Sequence, residues 1–263
     1  MNELRIAVHG AGGRMGQKVV HGVHADPELS LCSALESAGH PRLGEDIGLL
    51  AGLGTVGIKL SSELPKHVDG VIDFSVPEAS VAIAELCAER EIPILVATTG
   101  HTPEQRERIV ACHHTTPLLF AANTSLVVNL LMKLAREAAQ VLKGRDFDVE
   151  IIERHHRFKV DAPSGTALRF AEIIEKEMEL TERRYGREGI TGKRPRSEIG
   201  IHAVRTGDNV GEHTIIFSTL GETMELVHRG HGVESYVTGA IAGIKFLVAK
   251  KAGLYNMADV LGL

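Results

Sequence analysis

The chain has no tryptophan, and aromatic residues make up only 4% of it, so its core must be aliphatic. Cysteine is scarce too. Cys32, Cys87 and Cys112 are odd in number and form no Cys-x-x-Cys pair, the usage of a reduced, cytoplasmic compartment. No apolar run reaches membrane-spanning length. No long basic stripe appears, and the formal net charge of −5 argues against a nucleic-acid partner. Internal repeats and low-complexity tracts are absent. Met1-Asn-Glu-Leu-Arg5 runs straight into a strand, so no signal peptide is expected. What remains is an ordinary globular composition, 43% hydrophobic and 24% charged, in 263 residues, enough for two domains.

The first half alternates strands and helices. Residues 5–9 (Arg-Ile-Ala-Val-His) read as a strand, followed at once by Gly10-Ala-Gly-Gly-Arg-Met-Gly16 and an apolar-periodic helix through Val19 and Val20. Strand, glycine turn and helix open a dinucleotide-binding βαβ unit, in which glycines let the backbone approach a pyrophosphate at the helix N-terminus. The spacing fits two patterns incompletely. Gly10 and Gly12 begin a G-x-G-x-x-G that Met15 breaks, whereas Gly10, Gly13 and Gly16 give a G-x-x-G-x-x-G variant. The second strand, residues 29–35, ends at Glu36, about twenty residues past the loop, where an acid can hold a ribose diol. Further strands are expected over 70–74, 92–97 and 117–121, with helices over 79–89 and 103–113 between them. The loops after the last two strands, Ala97-Thr98-Thr99-Gly100 and Ala121-Ala122-Asn123-Thr124, fall at the carboxyl edge of a parallel sheet, where ligands lie. His113-His114 has no third ligand at metal spacing and closes a helix instead.

The rhythm changes after Ser125. A long helix over 126–143 stops at Gly144, and a strand over 149–152 leads into a loop carrying His155, His156, Arg157 and Lys159. Pro163 ends that loop, and Ser164 is placed to cap a helix starting at Gly165 and Thr166. Imidazoles and an ammonium opposite a helix N-terminus suit a small anionic substrate that must receive a proton. Residues 181–197, polar and basic, read as a surface loop or intersubunit arm. Three strands follow over 199–205, 213–219 and 224–228, joined by short turns, which argues for an antiparallel or mixed sheet. The last helix, 236–251, carries Val237, Ile241, Ile244 and Val248 on one stripe and is expected to pack back on the first sheet.

The chain resembles the dihydrodipicolinate reductase family almost from end to end. The resemblance is carried by residues 8–16, Ala34-Leu-Glu36, Ala97-Thr-Thr-Gly100, Phe120-Ala-Ala-Asn123, residues 205–214 and above all Glu153-Arg-His-His-Arg-Phe-Lys-Val-Asp-Ala-Pro-Ser-Gly-Thr-Ala167. It implies an α/β fold: a Rossmann-like parallel-sheet domain over 1–125, completed by 236–263. An inserted α+β domain over 126–235, built on a mixed or antiparallel sheet, would bind substrate and form a homotetramer. It also implies reduction of a cyclic unsaturated dicarboxylate, 4-hydroxy-tetrahydrodipicolinate, by NADH or NADPH in lysine and diaminopimelate biosynthesis. On this resemblance His155 is the proton donor/acceptor, Lys159 the proton donor, and His156, Gly165 and Thr166 hold the substrate carboxylates. Gly10, Ala11, Gly12, Gly13, Arg14, Met15 and Glu36 would hold the cofactor, with Ala97, Thr98, Thr99, Ala121, Ala122, Asn123 and Thr124 near its nicotinamide half. No metal is implied.

Three departures stand out. Relatives often carry arginine after the ribose-binding acid, where this chain has Ser37, and an aromatic after Ala-Ala-Asn, where it has Thr124. The turn at Gly230-His-Gly-Val233 lacks the serines and arginine often found there. Two other functions compete on the same scaffold. A semialdehyde dehydrogenase would need a nucleophilic cysteine at the substrate loop. A nucleotide-sensing regulator would not need His155, Lys159 and a capped anion site together.

Overall fold

The computed structural model describes residues 3–263; Met1 and Asn2, read above as the lead-in to the first strand, lie outside the described residues. The chain divides into two compact units, Met1–Leu126 with Glu234–Leu263, and Val127–Val233. The first begins with β1 (Leu4–His9), α1 (Arg14–Ala25), β2 (Leu29–Leu35), α2 (Ile47–Ala51), β3 (Leu60–Ser61), β4 (Gly70–Asp73), α3 (Pro77–Glu89), β5 (Ile94–Val96), α4 (Pro103–Ala111) and β6 (Pro117–Phe120). Then come α5 (Leu126–Leu142), β7 (Asp148–His155), α6 (Gly165–Met178), β8 (Glu182–Tyr185), β9 (Glu198–Arg205), β10 (Gly211–Thr219) and β11 (Glu222–Gly230). The chain closes with α7 (Glu234–Val248), β12 (Gly253–Tyr255) and α8 (Met257–Leu261).

The seven strands of the first unit run in the order β12-β6-β5-β4-β1-β2-β3, and every pairing is parallel. Their central members are uninterrupted apolar runs. Ile6, Val8, Val71, Ile72, Ile94, Leu95 and Val96 are all fully buried, as strands covered on both faces must be. Sequence order reverses where β1 lies between β2 and β4, so the crevice beyond the carboxyl ends of these strands is the place for a ligand. α1 buries Val19, Val20 and Val23 on one face of the sheet. Ala240, Ile244 and Leu247 of α7 join the same core, so the helix expected over 236–251 does pack back on the first sheet, although it is not the last: α8 follows it. No element is expected between Glu36 and Gly70 or after Lys251, yet α2 and β3 form in the first stretch and β12 and α8 in the second.

The second unit is a five-stranded mixed sheet in the order β11-β10-β7-β9-β8. β9 pairs in parallel with both β7 and β8, while β10 runs antiparallel to both β7 and β11. β9 and β10 are consecutive and closely linked, yet they do not pair. β7, with Val149 and Ile151 fully buried, takes the centre between them. α5 and α6 cover one face, packing Leu131, Ala135, Phe170 and Ile174 on Val149, Ile151, Ile199, Ile215 and Phe217.

The basic stretch 181–197 is not simply a loop or arm, because β8 forms inside it. All four β8 residues are exposed, so no apolar alternation marked the strand. Its arginines are also spent within the unit. Arg183 bonds Glu175 twice at 2.6 Å, Arg184 bonds Glu198 at 3.1 Å, and Arg194 reaches Asp148 at 2.7 Å and Glu150 at 3.0 Å.

Candidate active site

The glycine loop of the first unit joins β1 to α1. Gly10 sits at φ +76°, a left-handed conformation that favours glycine. A side chain at Gly16 would meet the Gly10 carbonyl oxygen at 2.0 Å, so helix and loop touch there. The third obligatory glycine is therefore Gly16, and Met15 instead lines a cleft beside the loop. Gly13, the N-cap of α1, offers no side-chain cap, which leaves the first-turn N–H groups for an anion. Ala11 is buried beneath the loop, and Arg14 is exposed at the helix start.

Glu36, at the tip of β2, accepts from the Gly12 N–H at 3.1 Å and the Ser37 N–H at 3.2 Å. The His40 ring packs against Gly12 and accepts the Arg42 N–H through Nδ1 at 3.3 Å. The Arg42 guanidinium is held by Glu45 at 2.9 and 3.0 Å.

Ala97, Thr98, Thr99, Ala122, Asn123 and Thr124 line one cleft of about 300 Å³ together with Met15, Phe74, Ser75 and Tyr236, while Ala121 is buried. Under it lies a polar hub that the sequence reading missed. The fully buried Asp73 carboxylate accepts from His9 Nδ1 (2.7 Å), Ser75 Oγ (2.6 Å), Ser80 Oγ (2.6 Å) and Thr98 Oγ1 (2.7 Å). Burial alone would raise this carboxyl, but the His9 and serine bonds outweigh it and hold it below the usual range. Thr98 Oγ1 also accepts the Ser75 N–H at 2.9 Å, so the hub ties the loop after β4 to the loop after β5. A glycine cradle closed to side chains at Gly10 and Gly16, an uncapped helix N-terminus and a ribose-ready carboxylate fit a dinucleotide.

In the second unit, His155 is not a loop residue. It is the last residue of β7, and the strand's period of two turns Val149, Ile151, Glu153 and His155 all inward. Glu153 is fully buried. Its Oε2 accepts from His155 Nδ1 at 2.6 Å and from an Arg205 nitrogen at 2.8 Å; its Oε1 accepts from the Ser164 N–H at 3.0 Å and from the second Arg205 nitrogen at 2.8 Å. Burial would raise the Glu153 carboxyl, yet the His155, Arg205 and Ser164 bonds bring it down to about 2. His213 stands 5.4 Å from the His155 ring and 3.3 Å, through Nε2, from Ser164 Oγ. Burial, then the neighbouring His155 and His228, push it down to about 3, which leaves it neutral.

The loop after β7 carries the other candidates. His156 is half-buried, and its Nδ1 finds no partner among the described residues. Lys159 Nζ pairs with Asp161 Oδ1 at 2.7 Å, and that bond holds the Asp161 carboxyl low. Ser164 caps α6 as expected, accepting the Ala167 N–H at 3.2 Å, with Gly165 exposed and Thr166 half-buried in the first turn. This half of the structure offers two anion-binding devices, a cationic loop and a helix N-terminus, beside groups able to exchange a proton.

An enzyme that delivers a hydride from NADH or NADPH to a small molecule needs both a dinucleotide cradle and a proton supply. The chain carries both and falls in the class of NAD(P)H-dependent oxidoreductases. A family model described as dihydrodipicolinate reductase, N-terminus, matches residues 4–124, and one described as dihydrodipicolinate reductase, C-terminus, matches residues 127–261. The 4-hydroxy-tetrahydrodipicolinate reductase of Rhodopirellula baltica is 46% identical over 99% of this chain and 96% of its own length; that of Citrifermentans bemidjiense is 42% identical over 99% of each. Among solved structures, a dipicolinate-bound dihydrodipicolinate reductase from Paenisporosarcina sp. TG-14 is 26% identical, covers 98% of both chains and superimposes with a TM-score of 0.77. The chain belongs to the dihydrodipicolinate reductase family, whose members use NADH or NADPH.

The competing semialdehyde dehydrogenase lacks its nucleophile. All three thiols lie in the first unit, and burial pushes each of them up from its ordinary value.

Proposed function

We propose that the chain reduces 4-hydroxy-tetrahydrodipicolinate to tetrahydrodipicolinate in lysine and diaminopimelate biosynthesis. The observation that carries this reading is the grouping of His155, Lys159 and the α6 N-terminus in the second unit. NADH or NADPH supplies the hydride when bound. Gly10, Ala11, Gly12, Gly13, Arg14 and Met15 would hold its pyrophosphate, Glu36 its ribose, and residues 97–99 and 121–124 its nicotinamide half.

The substrate gains a hydride and a proton and loses water, so charge must be met and a proton moved. Lys159 donates a proton, and His155 exchanges one through the ring nitrogen that Glu153 does not hold. His156, the Gly165 N–H and Thr166 bind the carboxylates, with the positive end of α6 favouring negative charge. The neutral His213 adds no charge to this site at working pH.

Glu36 with Ser37 favours NADH: the acid suits a ribose diol, and the nearby Arg42 is already bound to Glu45. We further propose a cytoplasmic homotetramer assembled through the sheet of the second unit. On the face opposite α5 and α6, Ile152, Thr214 and Ile216 are half-buried and Val204 and Val227 more open, an apolar surface suited to a second copy. No described helix is long and apolar enough to cross a membrane.

A steady-state assay following NADH oxidation with enzymatically generated 4-hydroxy-tetrahydrodipicolinate tests the reading. Turnover that depends on this substrate is expected. No turnover with either nucleotide, despite nucleotide binding, would point to a sensor that has kept only the fold.

A further inference from the structure

We propose that Glu153 is a positioning residue for the reduction: clamped by Arg205 and the Ser164 N–H, it fixes His155 as the Nδ1–H tautomer and reserves Nε2 for proton exchange. This rests on His155 being the acid–base group of the proposed reaction.

Glu153 occupies an inward strand position that would ordinarily be apolar. A buried carboxylate costs several kcal/mol unless it is fully bonded, and Glu153 is. Its two oxygens receive four donors: two Arg205 nitrogens, the Ser164 N–H and His155 Nδ1. Arg205 is anchored in turn by the Asp161 carbonyl at 2.6 Å and the Val204 carbonyl at 2.8 Å. The carboxylate therefore cannot rotate away.

An ionised carboxylate only accepts, so the 2.6 Å contact requires the proton on His155 Nδ1. The neutral imidazole then has its lone pair on Nε2, and the imidazolium carries its exchangeable proton there. Gly211 marks that side of the ring. A Cβ at this position would come within 3.0 Å of Nε2, so glycine keeps the nitrogen clear. The Ser164 N–H donates to the same carboxylate, while the α6 cap itself is the Ser164 Oγ bond from the Ala167 N–H and does not involve Glu153. Glu153 itself takes no proton; the Nδ1–H bond stays intact while the proton comes and goes at Nε2.

The test uses the whole enzyme. In ¹⁵N-histidine NMR the wild type should show His155 protonated at Nδ1, and an Nε2–H tautomer would overturn the proposal. Glu153→Gln cannot accept from His155 and both Arg205 nitrogens together. The Nδ1–H population should fall and kcat drop about 10–100-fold, with KM and pyridine-2,6-dicarboxylate affinity within about threefold. If Glu153 acts through His155, then Glu153→Gln/His155→Ala should be no slower than His155→Ala alone. A multiplicative loss in the double variant, or a kcat within twofold of wild type in Glu153→Gln, would overturn the proposal. Should Glu153→Gln fail to fold, Arg205→Gln frees the same carboxylate and enters the same cycle with the same expectation. Wild-type kcat in His155→Ala would overturn the acid–base reading itself, before Glu153 is touched.

Discussion

Replacing Gly16 by alanine should cost cofactor affinity far more than replacing Gly13. The added methyl at Gly16 would stand 2.0 Å from the Gly10 oxygen and 2.7 Å from Ala11 Cα. Both are backbone atoms that cannot swing aside. Gly10 is fixed by its positive φ, and its N–H donates to the Leu35 carbonyl at 2.9 Å. α1 would have to tilt by more than an ångström, against a face that buries Val19, Val20 and Val23. Overpacking of this kind costs about 1–3 kcal/mol. Displacing the first-turn N–H groups from the pyrophosphate should weaken NADH binding by a similar amount, about 10–100-fold. At Gly13 the methyl meets only the Gly10 oxygen, at 3.2 Å, and φ is −75°, so the loss should stay within about threefold. Titration calorimetry with NADH and a thermal melt measure both effects. Equal affinity in Gly16→Ala and wild type, or a larger loss in Gly13→Ala, would refute this account of the loop.

Ser37→Arg should shift kcat/KM toward NADPH by about 10–100-fold, since a charge-assisted bond to a 2′-phosphate is worth roughly 1.5–3 kcal/mol. A wild-type preference for NADPH above tenfold would instead point to Arg14, His40 or a released Arg42 as the phosphate partner. Thr166→Val should weaken inhibition by pyridine-2,6-dicarboxylate while NADH affinity holds, because the cofactor residues lie in the other unit; unchanged inhibition would place the carboxylates elsewhere. Acid should weaken the fold through Glu150 and Glu153. Burial would raise Glu150, but Arg187, His202 and Arg194 bring it down to about 2, as the bonds to Glu153 do there. A depressed carboxyl contributes stability that is full above its unfolded value, near 4.3, and is lost as pH falls toward the folded value. Urea unfolding should therefore show a loss of about 3 kcal/mol between pH 6 and pH 3. An unchanged midpoint would show that folding does not lower these two carboxyls.

The parallel sheet was legible because its strands are unbroken apolar runs, and the α6 cap because Ser164 follows Pro163 and precedes an amphipathic stretch. Strand pairing in the second unit was not, since nothing local to residues 199–219 says that β7 will come between β9 and β10. β8 escaped notice because an exposed edge strand pairs through backbone alone and needs no apolar side chains. His155 was misplaced by its charged neighbours. The alternation Val149, Ile151, Glu153, His155 already pointed it inward, and it also marked Glu153 as an acid needing partners. Asp73 gave a similar signal, as a lone carboxylate closing an apolar strand.

The central claim is that the second unit supplies the protons for the reduction, and kcat of Lys159→Ala and His155→Ala tests it most directly. General acid–base groups contribute about 10²–10⁴-fold, so each variant should lose kcat on that scale while NADH binding persists. A kcat within twofold of wild type in both variants would contradict the account.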